Sequence, residues 1–252
     1  MKYMKYMKYK TQKNKTNNLD QLTILSKKYD RDGYVLLKNC IPKSQCSIFL
    51  NTEINKLLKK HKIDIKNKKT YRNKIELSIK NKNNECPLSN YYSKWDQVFN
   101  NEYLINFLNK IHRNKWSFYS QNLGWIHVRF PYYKSIKPKY YNNWHIDGIN
   151  NSNFIYYNQG EVILPMITNV SKHGGGTVVL PGSHKSIENY IHSRKNTNIH
   201  DKIYSLSQQF NKCEITCNAG DILIMNPYLI HGSSYCNKKN KLRCFFNICL
   251  NK

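Results

Sequence analysis

Apolar residues in the first part of the chain recur at helical spacing. The first three lie three and four positions apart, at Leu22, Leu25 and Tyr29. This spacing predicts a short amphipathic helix before Asp32-Gly33, and residues 34–37, which read YVLL, then predict a strand. Apolar positions predict two further helices, one from Pro42 to Leu58 and one over residues 95–111.

After Trp116 the apolar residues come in short runs that are rich in β-branched and aromatic side chains and are bounded by Gly, Pro and Asn. Such runs are typical of strands. The predicted strands cover residues 125–130, 161–170, 177–180, 221–225 and 242–250. Helices followed by strands favour a mainly β sandwich or barrel with N-terminal helices, and they argue against an alternating βαβ sheet.

Two polar segments interrupt this pattern. Residues 1–18 begin with MKY three times and continue with Lys, Asn, Thr and Gln, so we expect a disordered basic tail. Residues 59–84 are mostly Lys, Asn and other polar residues, which predicts an exposed, partly irregular excursion. The remainder predicts one domain over residues 19–252, with a helical layer over about 19–115 and a strand-rich core over about 116–252.

The formal net charge of +26 allows two interpretations. A basic field attracts polyanions such as nucleic acid, whereas the joint abundance of Lys, Asn, Ile and Tyr also fits a compositional bias that leaves a solvated basic face. Eight cysteines form no CxxC pair with zinc-knuckle spacing. The charged start of the chain lacks a secretory signal and no apolar run is long enough for a membrane span, so we expect an intracellular, cytoplasmic protein.

Candidate chemistry begins at residues 144–148, which read WHIDG. In a strand, His145 and Asp147 would point to the same face, so an imidazole and a carboxylate would converge. His231 follows eighty-six positions after His145, at the end of an apolar run. Two histidines and one carboxylate can form the facial triad that leaves iron positions open for substrate and O₂.

Arg243 strengthens this interpretation. It stands twelve positions after His231, at the start of an otherwise apolar predicted strand, where an unpaired guanidinium would be costly to bury. A buried arginine needs an anionic partner, ideally a carboxylate bound through two hydrogen bonds. Alone, His145 could be a half-buried structural histidine and Asp147 a turn residue.

Several strings together resemble the phytanoyl-CoA dioxygenase family of Fe(II)- and 2-oxoglutarate-dependent oxygenases, over most of the chain from about Leu19. The most specific string is GGGTVVLPGSHK at residues 174–185. The others are DGYV at 32–35, RFP at 129–131, WHIDG at 144–148, GDIL at 220–223 and HGS at 231–233, with Arg243 beyond. One departure is the interval from His231 to Arg243, which is often a residue shorter in relatives.

The resemblance implies a double-stranded β-helix, the cupin-like jelly-roll, with iron bound by His145, Asp147 and His231. It implies the cofactors Fe(II), 2-oxoglutarate and O₂, with Arg243 binding the distal carboxylate of 2-oxoglutarate, Ser233 hydrogen-bonding the same group, and Arg129 a further candidate for this pocket. Related halogenases have a small residue in place of Asp147, so its carboxylate favours hydroxylation of a small-molecule substrate.

Three alternatives compete with this hypothesis. His184 in the PGSHK string could compete as third ligand, but the Pro-Gly pair predicts a rigid corner between strands, with His184 as a capping residue. Nucleic-acid demethylases would suit the basic charge, but they have a second arginine where this chain has Cys249. A non-catalytic jelly-roll that binds a partner through its basic surface is the alternative from another class.

Overall fold

The computed structural model describes residues 20–71, 76–79, 98, 100–113, 115–118, 125–131, 144–147, 159–193, 198–234 and 241–251. The basic tail predicted over residues 1–18 lies outside these ranges, as does much of the polar segment after residue 79. None of the helices in the described ranges combines the length and the apolar character needed to cross a membrane.

Six α-helices occur in the described part of the chain. They are α1 (residues 20–32), α2 (Lys43–Phe49), α3 (Asn55–Lys60), α4 (Glu102–His112), α5 (Ser183–His192) and α6 (Ile199–Gln209). A π-helical turn, Leu50–Ile54, joins α2 to α3, which together confirm the helix predicted from Pro42 to Leu58. Helix α4 begins after Asn101, whose side chain accepts the Leu104 N–H and so satisfies one unpaired donor of the first turn.

Ten strands make up the β structure of the described ranges. In chain order they are β1 (Tyr34–Leu37), β2 (Glu76–Ile79), β3 (Ser117–Phe118), β4 (Trp125–Arg129), β5 (Gln159–Pro165), β6 (Thr177–Val179), β7 (Cys213–Glu214), β8 (Ile222–Met225), β9 (His231–Ser233) and β10 (Arg243–Asn251). The larger sheet has the antiparallel order β1-β8-β5-β10-β4-β2, with β3 also paired to β10. The smaller sheet has the order β7-β6-β9.

Strand β10 shows how the two faces of the larger sheet are used. Cys244, Phe246 and Ile248 belong to the core shared with helices α1 to α4, whereas Phe245 belongs to the core between the two sheets. Both faces are therefore covered, and this explains why the run Ile222–Met225 is buried at every position instead of alternating. The arrangement confirms the predicted jelly-roll with a layer of N-terminal helices.

A third core lies on the outer face of the smaller sheet, where α5 and α6 cover it. The sequence analysis did not predict these two helices. The PGSHK string was predicted to form a corner between strands, and this prediction is wrong because α5 begins at Ser183 within that string. Ile187 is the one apolar residue that α5 buries, so its apolar pattern is weak, whereas the buried residues Ile199, Ile203 and Leu206 of α6 do recur at helical spacing.

The polar excursion predicted over residues 59–84 is also more ordered than expected where the structure describes it. Tyr71 is buried, its ring packs against Phe130, and its hydroxyl donates to the Ile65 carbonyl at 2.9 Å. Strand β2 then pairs with β4 at the edge of the larger sheet. Edge strands are compatible with a polar sequence because one side of the strand has no neighbour to pack against.

Candidate metal centre

His145 and His231 are brought together by their backbones. Each donates its N–H to the carbonyl of the other at 3.0 Å, forming an isolated antiparallel bridge beside β9. Their rings lie 4.3 Å apart between centroids, tilted by 54°. His231 is buried, whereas the His145 side chain is about half exposed, so the pair lies at the edge of the interior.

Asp147 completes the cluster, although its backbone differs from the expectation. The sequence predicted that alternation along a strand would align it with His145, but residue 147 lies in a turn. Its Oδ1 lies 3.9 Å from His145 Nε2 and its Oδ2 lies 3.4 Å from His231 Nε2. One ligand atom from each of the three residues lies within 4.8 Å of the other two.

The hydrogen bonds of His231 fix which ring nitrogen faces the cluster. Its Nδ1 lies 2.9 Å from the Leu229 carbonyl, which can only accept, so Nδ1 carries the proton and Nε2 presents a lone pair. Burial, and then the neighbouring His145, lower the pKa of His231, so its imidazole is neutral near pH 7. Neutral imidazole is the form that binds a metal ion.

The donor set fits a first-row metal ion. Among the described residues, Asp147 Oδ2 is buried without a hydrogen-bond donor, while the lone pair of His231 Nε2 faces it. Two acceptors at this distance are unfavourable unless a cation or proton lies between them. Donor atoms that lie about 2.1 Å from one metal are separated by about 3 to 4 Å, and both distances from the Asp147 carboxylate to the histidine Nε2 atoms lie in this range. Two imidazoles and one carboxylate are the ligands of non-heme Fe(II).

Arg243 defines a second polar site inside the jelly-roll. Its side chain is buried, its Nη1 donates to the Gly175 carbonyl, and its Nη2 donates to Thr177 Oγ1 at 2.9 Å. The Phe245 ring lies 4.2 Å below the guanidinium carbon. Burial, and then Arg129, lower the pKa of Arg243 to about 9. Its Nε has no acceptor among the described residues, so the guanidinium can still bind an anion.

The other two predicted cosubstrate residues lie beside Arg243. Arg129 is its direct partner in the β4–β10 ladder, and Arg129 Nη1 donates to the Ser234 carbonyl at 3.3 Å. Ser233 is half-buried on β9 opposite Thr177, the residue whose hydroxyl accepts from Arg243. The structure therefore brings Arg129, Ser233 and Arg243 to one end of the interior.

Sequence reasoning missed two of the groups that hold Arg243. The Gly175 carbonyl and the Thr177 hydroxyl both belong to the GGGTVV part of the string at residues 174–185. The string was noticed, but its contact with Arg243 was not, because the two segments are separated by more than sixty positions. A buried arginine needs acceptors, and a threonine on a neighbouring predicted strand was the available signal.

His184 lies away from the metal centre. It is buried near the N-terminus of α5, and its Nε2 lies 3.2 Å from the Asp30 carbonyl on α1. Burial lowers the pKa of His184. The residue therefore joins two helices, and its predicted position at a corner between strands is wrong.

The fold and this set of side chains define a class: a double-stranded β-helix with a two-histidine, one-carboxylate centre, as in non-heme iron oxygenases. The family model described as phytanoyl-CoA dioxygenase matches residues 29–236. The chain therefore belongs to the phytanoyl-CoA dioxygenase family, whose enzymes use Fe(II), 2-oxoglutarate and O₂.

Solved structures of iron- and 2-oxoglutarate-dependent enzymes share the fold at low identity. The epimerase SnoN from nogalamycin biosynthesis is 12% identical, with a TM-score of 0.59 over 92% of this chain and 84% of that one. The carbocyclase SnoK from the same biosynthesis is 12% identical, with a TM-score of 0.59 over 90% of this chain and 83% of that one. EctD from S. alaskensis, solved with bound Fe, is 14% identical, with a TM-score of 0.57 over 90% and 75% of the two chains. No curated protein matches the chain.

Proposed function

We propose that this protein is an Fe(II)- and 2-oxoglutarate-dependent dioxygenase that hydroxylates a C–H bond of a small molecule. The observation that carries the proposal is the convergence of His145, Asp147 and His231, with a carboxylate oxygen that has no donor among the residues that the structure describes. In the overall reaction one oxygen atom of O₂ enters the substrate as a hydroxyl group. The other enters succinate as 2-oxoglutarate loses CO₂.

In this proposal His145, Asp147 and His231 would hold Fe(II) with two imidazoles and one carboxylate, a ligand set that leaves positions for further ligands. The Leu229 carbonyl keeps the His231 proton on Nδ1, so that Nε2 remains available to the metal. The Asp147 carboxylate would neutralise part of the metal charge, and the metal would give the buried Asp147 Oδ2 a partner. Iron bound there supplies oxygen activation coupled to the decarboxylation of 2-oxoglutarate.

The second part of the proposal concerns the cosubstrate. Arg243 binds the distal carboxylate of 2-oxoglutarate, and Phe245 and Thr177 hold the guanidinium in place. Arg129 and Ser233 assist at the same carboxylate, since both lie beside Arg243 at the same end of the interior. Two guanidinium groups on adjacent strands repel each other, and a shared anion relieves that repulsion.

Hydroxylation is the finer part of the proposal, since SnoN is an epimerase and SnoK a carbocyclase. Asp147 supports hydroxylation over halogenation, because its carboxylate occupies the position where a halogenase would need room for chloride. Product mass distinguishes the outcomes. Hydroxylation adds one oxygen atom, ring closure removes two hydrogen atoms, and epimerisation leaves the mass unchanged.

Anaerobic titration with Fe(II) and 2-oxoglutarate tests the two binding sites before any substrate is known. We expect the weak visible charge-transfer band of the iron–cosubstrate chelate in the wild type and its loss in Asp147→Ala and His231→Ala. His200→Ala is the matched control, because His200 is exposed on α6. A wild type without the band, or a band that survives in Asp147→Ala, would refute the assignment.

Turnover tests the enzyme itself. Succinate release is measured with a panel of small molecules, and a substrate should increase it above the rate with 2-oxoglutarate alone. Each compound that does so is then analysed by mass spectrometry for the gain of one oxygen. A stimulated product of unchanged mass would contradict hydroxylation while leaving the oxygenase class intact.

A further inference from the structure

The backbone of Ile230, which precedes the candidate ligand His231, is held by one short turn. The Ile230 carbonyl accepts the Leu180 N–H at 2.9 Å, and the Ile230 N–H donates to Ser183 Oγ at 3.0 Å. Ile230 precedes β9, so no strand partner takes its N–H. The side-chain hydroxyl of Ser183 therefore accepts the hydrogen bond that a carbonyl of a neighbouring strand would otherwise accept.

This contact is buried. Both Ser183 and Ile230 are fully buried, in the core beneath α5 and α6. A water molecule needs several polar partners to replace a lost hydroxyl, and the side chains of this core are apolar. Removing the hydroxyl would leave the N–H of Ile230 without an acceptor, and the chain would have to move to recover one.

The turn that carries Ser183 is itself fixed. Gly182 adopts the left-handed conformation, with φ of 84°, and its N–H donates to the Asp32 carbonyl at the end of α1 at 2.9 Å. The Ser183 N–H donates back to the Leu180 carbonyl at 3.1 Å. Glycine adopts this left-handed backbone without steric cost. The resulting turn places the Ser183 hydroxyl within hydrogen-bond distance of the Ile230 N–H.

We infer that Ser183 is a positioning residue for the metal centre, acting through the Ile230 N–H to hold His231. The His231 backbone is fixed on its other side by its paired hydrogen bonds with His145. The two histidines of the centre are thus held by each other and by the turn at 180–183. The inference rests on the proposed function, since it gives His231 the role of a metal ligand.

The test compares Ser183→Ala and Ser183→Cys with the wild type. Cysteine keeps the size of the side chain, but its sulfur is a weak acceptor, so this variant preserves packing where alanine leaves a gap. We expect both variants to bind Fe(II) about 10- to 100-fold more weakly in the presence of 2-oxoglutarate, the range seen when groups behind a metal ligand are removed. The charge-transfer band should also shift or weaken at saturating iron.

Ser207→Ala is the matched control. Ser207 is also fully buried and its hydroxyl donates to a backbone carbonyl, that of Tyr204 at 2.7 Å, but it lies within α6. The Ser207→Ala variant should be less stable than the wild type but should bind Fe(II) with unchanged affinity. A metal-free readout accompanies it: amide hydrogen exchange at Ile230 should accelerate in both Ser183 variants and remain slow in Ser207→Ala.

The outcomes separate the two proposals. A wild type that binds no Fe(II) overturns the proposed function and this inference with it. A wild type that binds Fe(II), together with Ser183 variants of unchanged affinity and band, overturns the inference alone. Equal losses of iron affinity in Ser183→Ala and Ser207→Ala would also overturn it, because they would reflect general loosening of the fold.

Discussion

Replacing Arg243 with methionine removes a buried charge whose described hydrogen-bond partners are neutral. Burial, and then Arg129, lower the pKa of Arg243 from 12.5 to about 9, and one pKa unit corresponds to about 1.4 kcal/mol. Keeping the guanidinium charged therefore costs the cosubstrate-free protein about 5 kcal/mol. Methionine removes that cost together with two hydrogen bonds, each of about 1.5–3 kcal/mol because the donor is charged. We expect the free energy of unfolding of this form to change by less than about 2 kcal/mol.

Cosubstrate binding should respond very differently. In the proposed site the distal carboxylate of 2-oxoglutarate pairs with Arg243, and truncating one member of a buried, hydrogen-bonded ion pair costs about 2–5 kcal/mol. The Kd for 2-oxoglutarate should therefore rise about 30- to 4,000-fold in Arg243→Met. The variant is expected to be folded and nearly as stable as the wild type, yet impaired in cosubstrate binding.

Thermal unfolding under anaerobic conditions with Fe(II) measures both quantities. At a 2-oxoglutarate concentration of about 100 times the wild-type Kd, the wild type should gain about 2.7 kcal/mol, which raises Tm by about 5–11 °C. Arg243→Met should gain less than about 1 kcal/mol. Arg31→Met is the control, because Arg31 is largely exposed and should leave the gain unchanged. An Arg243→Met protein that keeps the full stabilisation by 2-oxoglutarate would refute the reasoning.

Three further predictions test the fold around the site. Asp221 is fully buried and accepts hydrogen bonds from two backbone N–H groups at 2.9 Å. Asp221→Ala should therefore lower the free energy of unfolding, measured by urea denaturation, by about 2–5 kcal/mol. A loss no larger than that in Asp201→Ala, at an exposed position, would contradict this. Burial lowers the pKa of His184, so as pH falls below 6.5 the unfolded chain takes up a proton before the folded one, and stability falls. His184→Gln should lose less stability than the wild type between pH 7 and 5, and equal slopes would count against it. A Cβ at Gly33, where φ is 79°, would lie 2.5 Å from His184 Nδ1, so Gly33→Ala should lower the free energy of unfolding by about 2–4 kcal/mol. Adding His184→Ala to this variant should recover part of that loss. Strictly additive losses in the double variant would disprove the contact.

Much of the fold was predictable because local patterns determine most of it. Helices α1 to α3 and the strands β1, β4, β6, β8 and β10 lie where apolar spacing predicted them, whereas α4 begins at Glu102, later than the predicted start at residue 95. Helices α5 and α6 were not predicted: α5 has one buried apolar residue to mark a face, and in α6 the helical spacing of Ile199, Ile203 and Leu206 was the available signal. Strand β2 was missed for a related reason: an edge strand in a polar segment shows little of the alternation that identifies a strand.

Some residues of the candidate site could be predicted from local sequence patterns and others could not. His145 and Asp147 could be proposed together because they are two positions apart, and Arg243 because a charge at the start of an apolar strand demands a partner. The route by which Asp147 joins His145 was predicted incorrectly, since the chain turns there. The contacts of Arg243 with Thr177 and Gly175 had no local sign in the sequence.

The sequence by itself determined which residue types are available, where many of the helices and strands lie, and, through its motifs, the family. Only the tertiary structure decided that His231 pairs with His145 across eighty-six positions, that Arg129 lies directly opposite Arg243, and that Ser183 holds the residue before His231. Periodicity along a strand specifies which side chains share a face. Which strands become neighbours, and in what register, is set by how the two sheets pack around their common core.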